Sequence, residues 1–197
     1  MRDRDALRKA KADAGPIELL DLAAVEATTP YEDHPAVKVI GSLSELADQP
    51  PLIGACLATA AVGLVRRDAR LTGTGLRMLA AHAVATGAKT LIKNAVDRSR
   101  PGKAADQGEH RFEPGQSEDG ADRSFPSGHT AGAMAVARAV SRGYPAAAGP
   151  ATLTVLAVAS IQVPRKARYP SDLLAGAVIG LGAEYLVDQI SRTLRSA

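Results

Sequence analysis

Apolar and polar positions along the chain divide it into helical segments, with no strand alternation and no internal repeat. The first segment, "PIELLDLAAVEA" (16–27), sets Ile17, Leu20 and Ala24 along one face and Glu18, Asp21 and Glu26 elsewhere, which predicts a short amphipathic helix. "TTPYEDHP" interrupts it. Asp33 and Pro35 then predict the start of a second helix that carries Ile40, Leu43 and Leu46 and stops at "DQPP". Residues 50–65 contain no charge, and the run ends in Arg66, Arg67 and Arg70. A longer helix is expected over 74–96, uncharged from 78 to 88. Residues 97–125 are polar and rich in Gly, Asp, Glu and Arg, too long a stretch for an idle connection inside a compact domain. Helical patterning resumes at 127–140, 151–163 and 171–190.

A membrane-spanning helix needs about 20 mostly apolar residues. The uncharged run 143–163 is long enough but is cut by Pro145 and Pro150, and the other segments are shorter or carry Lys89, Lys93, Arg138 or Glu184. Their order is more telling than their hydropathy. If 50–65 runs inward, Arg66, Arg67, Arg70 and Arg77 fall on the cytoplasmic side, and so do Arg142, Arg192 and Arg195, in keeping with the positive-inside tendency. The long polar stretch and "RKARYPSD" then meet on the outer face. The expectation is an all-α membrane bundle of about five spans with an N-terminal amphipathic, interfacial helix. A soluble helical bundle is the plainer alternative.

Composition sharpens this picture. The apolar residues are mostly Ala, Val, Leu and Gly, with few aromatics, which suits close helix–helix packing. A net charge of only +3, with scattered Lys and Arg, disfavours a stacking nucleic-acid surface. The lone Cys56 rules out a disulfide framework. "MRDRDALRKAKADAG" has no apolar core and is not read as a cleavable signal peptide.

Three clusters at helix ends carry candidate chemistry. In "KNAVDRSRP", Lys93 and Arg100 are separated by six residues, so two helical turns would set them on one side; a solvated basic helix end is the bland account. In "RSFPSGHTAGA", Ser127 and Gly128 open a helix whose free N–H groups favour an anion, and His129 sits in its first turn, able to titrate near neutral pH. Taken alone, Ser127 is an N-cap and His129 a surface histidine. In "QVPRKARYPSDLLAG" (162–176), Arg165, Lys166 and Arg168 precede Asp172 where another helix starts.

Together, the lysine–six–Arg-Pro element, "PSGH" and "YPSDLLAG" resemble the three-part signature of the type 2 phosphatidic acid phosphatase family, over about residues 50–190. The family includes bacterial nonspecific acid phosphatases and undecaprenyl-pyrophosphate phosphatases. The resemblance implies an all-α bundle and, for lipid-phosphatase members, a membrane location with the site facing outward, here a bacterial-type inner membrane crossed several times. It implies that Lys93, Arg100, Ser127 and the Gly128 amide bind phosphate oxygens and that His129 protonates the leaving group, without metal or other cofactor. The implied partner is a phosphorylated lipid (phosphatidate-type, or a polyprenyl phosphate or diphosphate) or a small phosphomonoester, not nucleic acid. Domain limits follow: residues 1–49 as tail and interfacial helices, 50–190 as the family-like domain, 191–197 as a short basic tail.

The third element departs from the family pattern of arginine, five residues, nucleophilic histidine, three residues, orienting aspartate. Counting back from Asp172, Arg168 stands at the histidine position and Gln162 at the arginine position. A guanidinium stays protonated and cannot attack phosphorus. Arg165, one turn away, is the candidate to recover the phosphate contact, and Arg168 is expected to pair with Asp172. Of the four histidines, His34, His82, His110 and His129, only His110 in the polar stretch is placed to substitute as nucleophile. The functional expectation is phosphoryl transfer from a phosphorylated lipid, impaired at Arg168. The alternatives are a catalytically silent binder of a phosphorylated headgroup or partner protein, and a structural bundle.

Overall fold

In the computed structural model, residues 2–12 and 14–196 are described, without the side chains of residues 2–5, Leu7 and Arg195, so the Arg195 expected on the cytoplasmic side lies outside the described side chains. The chain runs α1 (Arg2–Ala12), α2 (Pro16–Thr28), α3 (Pro35–Ser44), α4 (Gln49–Val65), α5 (Ala69–Lys93), β1 (Val96–Arg98), α6 (Pro101–Gln107), β2 (Phe112–Pro114), α7 (Gly128–Gly143), α8 (Ala148–Ser160) and α9 (Pro170–Ser196).

The centre is α5, α7 and α9 held together by small residues. On α7, Ala131, Ala135 and Ala139 recur every four residues, all fully buried; Ala81 and Ala85 of α5 and Ala183 and Val187 of α9 close the same layer around Ala135. Glycines set how near α9 can come. A β-carbon at Gly176 would lie 2.6 Å from the Ser127 carbonyl, and one at Gly180 2.5 Å from that of Ala131. Such close backbone approach is how helices pack without large side chains.

Helix starts are chemically marked. Asp68 caps α5 by accepting the Leu71 N–H at 2.9 Å, and Ser127 caps α7 by accepting that of Thr130 at 3.3 Å; such caps contribute about 1 kcal/mol each. Between α3 and α4 the path bends by 58° around Asp48, which turns that carboxylate toward the start of α7.

Several sequence expectations change here. The 97–125 stretch holds a short antiparallel ribbon, β1 against β2 with Asp97 opposite Glu113, plus helix α6. Three-residue strands are too short to show alternation, so the pattern could not reveal them. It is tied down by Lys103 on Asp122 at 2.8 Å and by the Ser117 N–H on Asp97 at 2.8 Å. The charged N-terminus forms α1, which packs on α6 with Ala10 buried. The tail expected from residue 191 is instead the end of α9, which continues through Ser196.

Among the described residues one helix, Pro170–Leu194, is long and apolar enough to cross a bilayer, and the number is two only if the bent pair Pro35–Ala47 and Gln49–Val65 counts as one span. The five spans expected from charge order are not reached by length and apolarity. Charges inside α5 and the short lengths of α7 and α8, 16 and 13 residues, account for the shortfall.

Candidate phosphate-binding site

Helix α5 ends where the polar stretch begins, and its last turns present Lys89 and Lys93 four residues apart on one face. The Lys93 ammonium donates to the Arg123 carbonyl at 2.6 Å. The Arg168 guanidinium donates to the same carbonyl at 3.1 Å and to that of Ser124 at 2.9 Å. Two cations from distant parts of the chain therefore lie against the loop that leads into Ser127. Arg100 stands just before α6, and its Nε is buried with no acceptor among the described residues. Lys93 lies within electrostatic range of Arg168, Arg100 and Lys89. Cations crowded together around a buried, acceptor-less nitrogen call for an anion.

The N-terminus of α7 supplies the other half. Ser127 is fully buried; its hydroxyl, besides capping, lies 3.0 Å from that of Thr130. The Lys89 ammonium comes close to the backbone at Gly128, 2.9 Å from where a β-carbon would stand. Lys89 thus overlies the anion-favouring helix start. His129 Nε2 lies 2.9 Å from Asp48 Oδ1, so the bend before α4 fixes the imidazole.

Asp172 behaves differently from the expectation. Its fully buried carboxylate accepts from Arg98 on Oδ1 at 2.7 Å, and on Oδ2 from the Ser124 hydroxyl at 2.5 Å and the Tyr169 N–H at 2.9 Å. The expected Arg168–Asp172 salt bridge is absent among the described residues. Arg98 has taken the carboxylate, and Arg168 turns to backbone carbonyls. Burial first, and the neighbouring Arg100 second, pull Arg168 down to about 10, against the opposing pull of Asp172 and Asp48; it therefore stays cationic at neutral pH. Arg98 is almost wholly buried. It also donates to Asp21 at 2.6 Å and to Ser171 at 2.6 Å, and stacks over the Tyr169 ring at 4.3 Å. Burial disfavours its charge, but Asp172 and Asp21 more than offset this and hold the guanidinium above its ordinary value.

Two further expectations need correcting. The Arg165 guanidinium is committed to α3 and the turn after it, donating to the Gly41 carbonyl at 2.8 Å and to Glu45 at 3.1 Å, although it stays within electrostatic range of His129. Gln162, at the family arginine position, is buried on Ser44 at 3.2 Å. His110 is held by Glu18 at 2.9 Å and faces the Tyr169 hydroxyl at 3.5 Å, which engages both ring nitrogens and removes it as the substitute nucleophile. Glu18 is in turn kept below the usual carboxylate range: burial opposes this, but hydrogen bonds from the Gly15 N–H and His110 prevail. His82 is buried in mid-helix with both ring nitrogens unpartnered.

Lys89, Asp48 and Arg98 escaped the sequence reading. Lys89 carried a usable signal, its four-residue spacing from Lys93. Asp48 and Arg98 did not, since His129 and Asp172, with which they pair, lie 81 and 74 residues away.

The PAP2 superfamily's sequence model matches residues 74–195, more than half of the chain and all three clusters. The chain belongs to the PAP2 superfamily. No curated protein sequence matches it. Among solved structures it is similar to a transmembrane PAP2-type phosphatidylglycerolphosphate phosphatase from Bacillus subtilis, at 20% identity and a TM-score of 0.70, over 98% of this chain and 96% of that one. It is also similar to Aquifex aeolicus LpxE, at 17% identity and a TM-score of 0.62, over 90% of this chain and 97% of that one. At such identities the likeness concerns the fold, so this PAP2 chain shares their helical arrangement along nearly its whole length.

Proposed function

We propose that this PAP2 protein is a membrane phosphatase acting on a phosphorylated lipid, with the phosphate held between Lys93, Arg100, Arg168 and the N-terminus of α7. The observation that carries the reading is the gathering of these cations, one with a buried nitrogen lacking an acceptor, beside the N–H groups of Gly128 and His129 in the first turn of α7, the Ser127 N–H being taken by the Asp172 carbonyl at 3.0 Å. Phosphoryl transfer spreads charge over the equatorial oxygens, so fixed cations and amide donors supply most of the stabilisation. His129, steadied by Asp48, gives a proton to the leaving oxygen. Arg168 remains protonated, so it binds phosphate and does not attack it. The oxygen of a water molecule bonds to phosphorus as the bond from phosphorus to the leaving oxygen breaks; the leaving oxygen takes the His129 proton and departs as a lipid alcohol, or as a lipid monophosphate if the substrate is a diphosphate, and the released phosphate carries the protons of the water. A silent headgroup binder is the second reading. The observation favouring it is Arg168 itself, fixed on two carbonyls where the family pattern has its nucleophile.

Vanadate titration by calorimetry in detergent tests the site. Each charge-assisted hydrogen bond contributes about 1.5–3 kcal/mol, so Lys93→Ala and Arg100→Ala are each expected to weaken binding roughly 10- to 100-fold. Unchanged affinity in both removes the phosphate site and this reading with it.

The membrane part of the proposal rests on α9. Leu174, Val178, Leu181 and Tyr185, spaced four, three and four residues apart, are 42–69% exposed along one stripe, and only 33% of its most apolar window is buried. A continuous apolar stripe of this kind is costly in water and neutral against acyl chains. Carbonate washing of a bacterial membrane fraction is expected to leave the protein in the pellet. Release into the supernatant would refute a spanning protein. The arginines gathered at the end of the bundle away from the phosphate site support an orientation with that site outward.

A further inference from the structure

A second charged region lies at the other end of the bundle, about 24 Å of helix from Lys93, counting from Arg77 along α5. There an open cavity of about 1130 Å³ separates the far ends of α5, α7 and α9. Arg70 and Arg77 enter it from α5, Arg142 from α7, and Asp188 and Arg192 from α9. Glu184 lies behind them, 1% exposed.

The carboxylates are shared. Asp188 takes Arg77 at 2.8 Å, Arg142 at 3.2 Å and Arg192 at 2.9 Å, while Glu184 takes Arg142 at 3.1 Å and Arg77 at 3.4 Å. Arg70 has no carboxylate among the described residues; it donates to the Gly143 carbonyl at 2.7 Å and lies 4.4 Å over the Tyr144 ring. Four guanidiniums against two carboxylates leave two positive charges uncompensated. Each guanidinium carries five N–H donors, more than these contacts use. The same cavity has an apolar wall of Leu76, Ala80 and Val187, with Leu76 56% exposed. A purely structural ion network would need neither the surplus charge nor the open space beside an apolar wall.

We propose that this cavity binds the phosphodiester headgroup of an anionic bilayer lipid from the leaflet opposite the phosphate site. Arg70 and Arg192 meet the phosphodiester while Leu76 and Val187 face the start of the acyl chains. Basic pockets between helices at a cytoplasmic surface are suited to such headgroups. The proposal rests on the membrane reading, which carbonate washing tests separately.

The test uses the full chain in dodecyl maltoside carrying Lys93→Ala and Arg100→Ala, so that the catalytic phosphate site contributes nothing. Thermal unfolding is followed with short-chain phosphatidylglycerol, short-chain phosphatidylcholine or inorganic phosphate. At ten times its Kd, phosphatidylglycerol is expected to raise Tm by about 3–6 °C, and the other two by much less. Adding Arg70→Gln and Arg192→Gln should abolish the rise. Should that variant fail to fold, Arg192→Gln alone, at an exposed position, should at least halve the rise. An equal rise with phosphatidylcholine, an equal rise with inorganic phosphate, or a phosphatidylglycerol response that survives both arginine substitutions would each overturn the proposal.

Discussion

Arg168→His is expected to raise phosphomonoester hydrolysis by about 10³-fold or more, measured on a lipid phosphate and on p-nitrophenyl phosphate in detergent. Removing the nucleophile from an otherwise complete site commonly costs roughly 10⁴–10⁶ in rate, because only electrostatic stabilisation and binding remain. Here the rest of the proposed site is in place: Lys93 and Arg100, the start of α7, and His129 on Asp48. An imidazole can be neutral near pH 7 and so can attack phosphorus, which a guanidinium cannot do.

The imidazole also needs an orienting partner. A carboxylate has about four lone-pair sites. Asp172 uses three of them, one on Oδ1 for Arg98 and two on Oδ2 for Ser124 and Tyr169. One position on Oδ1 remains for a histidine N–H. The gain should fall short of full recovery, because Arg168 leaves the phosphate and neither Gln162 nor Arg165 is aimed to replace it. His129→Ala in the Arg168→His background should return the rate to baseline, showing that the new activity uses this site. No gain from Arg168→His in a folded protein would favour the silent binder. Strong turnover by the unaltered protein, surviving His110→Ala, would refute the role assigned to position 168.

The helices, and the end of the bundle where the cations meet, were legible because period and charge order along α5, α7 and α9 are local properties. What escaped depended on partners far apart in sequence. Arg168 and Asp172 are four residues apart and looked like a pair, yet a buried carboxylate goes to whichever cation the fold brings in line. That cation is Arg98, carried there by β1. Arg165 looked free for phosphate until α3 supplied Gly41, Ser44 and Glu45 as acceptors. His110 looked mobile in a polar stretch, but α2 brings Glu18 to it. In the last two cases the N-terminal helices made the difference, and in the first α2 adds Asp21 to the same Arg98; the signature motifs carry no information about these helices.

Those helices enter the site through Arg98, and its removal has the largest expected effect on stability. Arg98→Met should destabilise the protein by about 3–5 kcal/mol, the usual cost of breaking a buried ion pair by deleting one partner. Asp21 and Asp172, 2% and 0% exposed, would be left facing each other without their shared cation. The guanidinium also closes the gap between α2 and α9 and stacks on Tyr169 and Phe112, contacts a methionine only partly replaces. For a chain of this size the loss corresponds to a fall in Tm of roughly 6–20 °C, readable by thermal unfolding in detergent. Replacing the whole set, Arg98→Met with Asp21→Asn and Asp172→Asn, should recover at least half of it, because no unpaired charge then stays buried. That recovery separates a charge effect from a packing one. A triple variant as unstable as Arg98→Met would mean that the stacking of Arg98 holds α2 in place, and a fall below about 1 kcal/mol in the single variant would mean that α2 does not depend on Arg98 at all.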